Sequence, residues 1–79
     1  MSRPAVDRTL NTAGTGLPLL LVRTNLVMQE LAAGAVVEII ATHPDSETDI
    51  PSWCRHSGNT LVHSEVSDST YRYYVRKHA

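Results

Sequence analysis

The chain has 79 residues, too few for two independently cored units, so one domain spanning residues 1–79 is expected. Its 42% hydrophobic and 19% charged residues, with a net charge of -1, exclude a disordered chain and show none of the excess positive charge of a nucleic-acid binder. The single cysteine, Cys54, excludes an internal disulfide, and the longest apolar run, Leu17 to Val22, is far shorter than the ~20 residues of a membrane span. No signal-peptide pattern follows Met1, so a cytoplasmic protein stabilised by packing is expected.

In chain order, Ala5 to Leu10 mixes β-branched and polar residues and reads as a strand with Val6 and Leu10 on one face. Thr12-Ala13-Gly14-Thr15-Gly16 is a connecting loop; it lacks the Lys-Ser/Thr of a phosphate-binding loop and the third glycine of a dinucleotide fingerprint. Pro18 suits a helix's first turn, and the apolar pattern runs from there to Ala33, with Gly34 in the position that follows a helix end. Leu17, Leu20, Leu21, Thr24, Val27, Met28 and Leu31 share one face, a stripe wide enough to cover a sheet. Leu19, Val22 and Leu26 form a second apolar set pointing away from it, which means either a more deeply buried helix or a contact surface.

Ala35 to Ala41 is nearly continuous and β-branched, as a central strand requires, and Thr42-His43-Pro44 ends it. Ser46 and Asp49 have capping-box spacing, and Asp49 is placed to cap a short helix beginning at Pro51 and running to Ser57 before Gly58. Asn59 to Val66 and Thr70 to Lys77 read as a hairpin joined by Ser67-Asp68-Ser69. The expected fold is α/β (α+β), a two-layer βαβαββ sandwich with two helices on one face of a four-stranded mixed sheet.

Gly14-x-x-Leu17-Pro18-x-Leu20 and Gly34, followed by Val36 to Ala41, His43-Pro44, Asp49-Ile50-Pro51-x-Trp53-Cys54 and Tyr71-Arg72-Tyr73-Tyr74-Val75-Arg76-Lys77, resemble the TusA/SirA-like family of small sulfur carriers. The resemblance covers about Ala5 to Lys77 and implies the same βαβαββ fold, which is similar to that of the C-terminal domain of bacterial translation initiation factor three. The family signature is Gly-x-x-Cys-Pro-x-Pro, whose cysteine receives a persulfide and passes its sulfur on. Here the motif stands as Leu17-Pro18-Leu19-Leu20, so the resemblance implies that Leu17 occupies the carrier position. Leucine has no sulfur and no dissociable proton. A non-catalytic protein-binding or regulatory module follows, engaging a sulfur-relay component or a second copy of itself through Leu17, Pro18, Leu19, Val22 and Leu26.

Two other readings compete with that one. Cys54 is the remaining thiol and the only candidate for relocated sulfur transfer, although its mid-helix position suits an inert buried residue. Arg72, Arg76 and Lys77 beside Tyr71, Tyr73 and Tyr74 have the charge and aromatic content of an RNA surface, but strand alternation sends Arg72, Tyr74 and Arg76 to one face and Tyr71 and Tyr73 to the other. No metal site is expected: Cys54-x-His56 with His43 and His63 fits no zinc spacing, and Asp45, Glu47 and Asp49 lack the glycine and terminal glutamate of a calcium loop. No cofactor and no membrane contact follow from any pattern.

Overall fold

Two crossover connections organise the sheet of the computed structural model, which describes residues 3–78. Strand β1 (Arg8–Asn11) leads through helix α1 (Leu17–Glu30) to β2 (Val36–Ala41), and β2 leads through helix α2 (Ser46–Ser57) to the hairpin of β3 (Thr60–Ser67) and β4 (Thr70–Arg76). The sheet order is β1-β2-β4-β3, with β1 and β2 parallel and β4 antiparallel to both of its neighbours. The fold is therefore the expected βαβαββ sandwich. Among the described residues no helix is long and apolar enough to cross a membrane.

Alternation along the strands builds the core. Val37, Ile39 and Ala41 of β2 and Tyr73 and Val75 of β4 point to the helix side, where Leu20 and Met28 of α1 and Ile50 and Cys54 of α2 meet them. Leu17, Leu21, Val27 and Leu31 pack at the margin, so the seven-residue stripe read on α1 is the core-facing one. Among the described residues every buried side-chain polar atom is paired: Thr24 returns its hydroxyl to the Leu20 carbonyl at 2.8 Å, and the Ser46 and Tyr73 hydroxyls meet at 2.6 Å. The hairpin turn is Asp68-Ser69, both at positive φ (49° and 63°), as a two-residue turn matching the sheet twist requires.

Several boundaries differ from the sequence expectation. The first strand starts at Arg8 rather than Ala5, and Val6 lies outside it, 39% exposed. Helix α1 stops at Glu30 rather than Ala33 because Leu31 is extended. Gly34 is not its cap: at φ 85° it donates its N–H to the Lys77 carbonyl at 2.9 Å, and Lys77 N–H donates to Ala35, so sheet pairing ends the helix early. Helix α2 begins at Ser46 rather than Pro51, and neither expected cap forms, since no side chain caps this helix. Ser46, Glu47 and Thr48 wind on to His43, Pro44 and Asp45 through i to i−3 bonds of 3.0–3.2 Å, while the Ser46 side chain is held by Tyr73. Pro51 lies inside the helix. It costs the one bond its missing N–H would have made.

Candidate functional site

The β1–α1 connection sets the start of α1 firmly. Thr12 is fully buried and donates both its N–H and its hydroxyl to the Ile40 carbonyl, at 2.8 and 2.7 Å. Gly14 takes φ 78°, which suits glycine, and donates its N–H to Thr42 Oγ1 at 2.9 Å. Gly16 is the N-cap and has no side chain to offer; Leu17 is the first helical residue and Pro18 the second. The first helical bond runs from Leu20 N–H to the Gly16 carbonyl at 3.0 Å, and the N–H groups of Leu17 and Leu19 have no partner among the described residues. No acidic residue sits in this turn, so no side chain of the turn itself offsets the positive end of the helix. Such an end stabilises an anion carried by residue 17, yet Leu17 offers only a half-buried apolar side chain.

Outside this start lies the second apolar set. Leu19, Val22 and Leu26 are 56%, 52% and 56% exposed, and at ~100° per residue they lie roughly opposite Leu20, Thr24 and Met28. Deeper burial of the helix is therefore not their explanation. Pro18 is also exposed, and a separate groove of about 380 Å³ between the helices is lined by Leu21, Asp49, Ser52, Trp53 and His56. Trp53 Nε1–H donates to Asn25 Oδ1 at 2.9 Å, fixing the indole beside Leu21.

Cys54 is elsewhere. It faces the core from α2 at 4% exposure, and burial pushes its thiol up to about 11, against a small opposing effect of Arg55. A thiol so placed is protonated near neutral pH and closed to reagents.

The basic and aromatic residues of β4 separate as alternation dictates. Arg72 donates to Glu38 Oε2 at 3.0 Å and is spent on that ion pair; Lys77 donates to the Leu31 carbonyl at 2.6 Å; Arg76 alone of the three is exposed. Tyr73 is in the core, Tyr74 is 1% exposed, and the half-buried Tyr71 packs against the core on the face opposite Arg72 and Arg76. The histidines and carboxylates also stay apart, with no group of three metal-ligating side chains among the described residues. His43 Nδ1 accepts from Asp45 N–H at 3.1 Å, and His56 lies 2.8 Å from the Ser52 carbonyl.

One polar cluster escaped the sequence reading. On the sheet face away from the helices, Tyr74 donates its hydroxyl to Glu38 Oε2 at 2.9 Å, Thr9 donates to Glu38 Oε1 at 3.1 Å, and Glu65 lies 3.4 Å from the same phenol. Burial raises the Glu38 carboxyl, but hydrogen bonds from Tyr74, Arg72 and Thr9 outweigh it and leave the group below its ordinary value. Burial and the bond to Glu38 push Tyr74 up to about 12. The only sequence signal was a charge, Glu38, inside an apolar central strand.

Comparison with known proteins agrees with this architecture. A crystal structure of a SirA-like protein from Desulfitobacterium hafniense superposes with a TM-score of 0.78 at 18% identity, covering 91% of this chain and 99% of that one, a likeness of fold. The sulfur carrier protein TusA of Pseudomonas entomophila is 37% identical over 73 residues, covering 92% of this chain and 91% of that protein. That of Pseudomonas paraeruginosa is 34% identical over 79 residues, covering 100% and 99%. A longer protein of Aquifex aeolicus is 39% identical over 71 residues, and the chain spans 36% of its length. Residues 8–77 match the family described as sulfurtransferase TusA, and on this match and these relatives the chain belongs to the TusA family of sulfur carriers.

Proposed function

We propose that this protein is a docking member of a sulfur-relay system that engages a protein partner through Leu17, Pro18, Leu19, Val22 and Leu26 and carries no sulfur itself. The observation that carries this reading is the start of α1: an uncapped helix end, set by Thr12 and Gly14, that presents leucine where the family resemblance places a cysteine. Two features support it. Leu19, Val22 and Leu26, on the outer side of the same helix, are more than half exposed, as a contact surface requires. Cys54, the remaining thiol, is sealed in the core and protonated, which suits packing and not sulfur exchange.

Intact mass after incubation with a cysteine desulfurase and cysteine tests the chemistry. We expect no reductant-sensitive gain of ~32 Da per sulfur in the native protein. An adduct that disappears in Cys54→Ala would return the chemistry to Cys54 and overturn the reading. For the docking surface, Leu19→Glu should abolish association with the relay partner while leaving the melting temperature within about 4 °C, because exposed substitutions change stability by only about 0.5 kcal/mol. Undiminished association would remove this face from the interface.

A further inference from the structure

The outer face of the sheet has no helix, yet Tyr74 on that face is 1% exposed. His63 lies against it at 5.4 Å between ring centroids with a 48° tilt, and its hydroxyl meets Glu38, which also holds Arg72, and Glu65. The segment preceding β1 reaches this face, because Arg3 pairs with the same Glu65 oxygen that lies 3.4 Å from the Tyr74 hydroxyl. Asp7 anchors this segment: its N–H donates to the Val36 carbonyl at 2.8 Å, and its carboxylate accepts the Val36 N–H at 2.8 Å. Arg3 marks the other end, where its Nε pairs with Oε1 of Glu65 on β3, the opposite edge strand.

The span fits a crossing. From β1 to β3 are three strand spacings, roughly 14 Å, and the extended chain from Arg8 back to Arg3 reaches roughly 17 Å before the arginine side chain is added. Pro4 is half-buried along the way, while Arg3, Ala5, Val6 and Asp7 remain exposed. The cover is therefore narrow, held at its base by two bonds to the Val36 backbone, one from the Asp7 N–H and one to its carboxylate, and at its tip by one solvent-accessible ion pair.

We propose that residues 3–7 are a displaceable strap, hinged at Asp7 and latched by Arg3 on Glu65, that closes the outer face of the sheet over Tyr74. Exposed ion pairs are weak and screened by salt, so such a latch opens readily without unfolding the domain beneath. Opening uncovers the Tyr74 ring with His63 and leaves Glu65 without Arg3, whereas Arg72 stays on Glu38 within the sheet.

Nitration of the tyrosines by tetranitromethane, mapped by peptide mass, reads the strap directly, because Tyr74 lies under it and Tyr73 lies in the core on the opposite face. Reversing the latch charge with Arg3→Glu should raise the Tyr74 rate about three- to tenfold, the range of a lost surface pair made repulsive, with the Tyr73 rate unchanged. The double reversal Arg3→Glu with Glu65→Arg should restore protection. An unchanged Tyr74 rate in Arg3→Glu would overturn the proposal, as would Tyr73 and Tyr74 rising together, since that marks loosening of the whole domain. Failure of the double reversal to protect Tyr74 would overturn the latch.

Discussion

Replacing Leu17 with cysteine asks whether the start of α1 is still built to hold a sulfur anion. The new thiol would sit at the first helical position, beside the N–H groups of residues 17 and 19, which have no partner among the described residues, and with no acid in the turn. Thiols at helix N-termini fall to about 3.5–7.5, and a value of about 7 makes roughly half of it thiolate at pH 7. Cys54, pushed up to about 11, is thiolate to about one part in ten thousand at that pH. The ratio of thiolate populations is therefore about 5,000. A thiolate of lower pKa is intrinsically less nucleophilic, by roughly sixtyfold over four units at a Brønsted slope of ~0.45. The net advantage is about a hundredfold before the burial of Cys54 is counted. Iodoacetamide alkylation of Leu17→Cys in a Cys54→Ala background, followed by mass from pH 5 to 9, against Cys54 in the native protein, measures both terms. A midpoint at or above the ordinary thiol value of 8.5 would refute the argument that this helix end stabilises an anion. So would an alkylation rate no greater than that of Cys54.

Two further perturbations report on the interior. Ser46→Ala leaves the Tyr73 hydroxyl buried without its partner and should cost about 1–3 kcal/mol in urea unfolding; a loss below 0.5 kcal/mol would mean that the bond adds nothing. Stability should also fall at both ends of the pH range. The folded thiol of Cys54 (about 11 against 9.0) and phenol of Tyr74 (about 12 against 10.0) keep protons that the unfolded chain releases, so stability is full below pH 9 and declines above it, by about 2–3 kcal/mol from Cys54 alone by pH 11. Glu38 acts in the opposite sense: lowered in the fold, it stabilises above its unfolded value of 4.5, and that contribution is lost as pH falls through the lowered one. Denaturant midpoints that stay flat from pH 8 to 11 would contradict the alkaline half, and Glu38→Gln should remove the acid half.

Much of this protein is set by residues close together in the chain. The apolar stripe of α1, the glycine after α2 and the short polar connection of the hairpin each report a local backbone preference, and their order along the chain yields βαβαββ. The replacement at residue 17 is likewise plain in the sequence, because a missing sulfur needs no coordinates to be seen. What tertiary structure decided depends on strand order. Placing β4 between β2 and β3 brings Glu38 to Arg72, 34 residues away, and ends the availability of that arginine as a free surface charge. The same placement sets Tyr73 against Ser46, so that α2 starts at a residue whose side chain is held across the core and not at the proline that local rules favour. Gly34 has the left-handed backbone expected of it, but pairing with Lys77 draws the chain into the sheet before the helix can reach it. Helix periodicity placed Leu19, Val22 and Leu26 together, but only the packing of α1 on the sheet shows that this side of the helix is left in water. Periodicity and capping act over a few residues, whereas burial and pairing depend on which distant segments become neighbours.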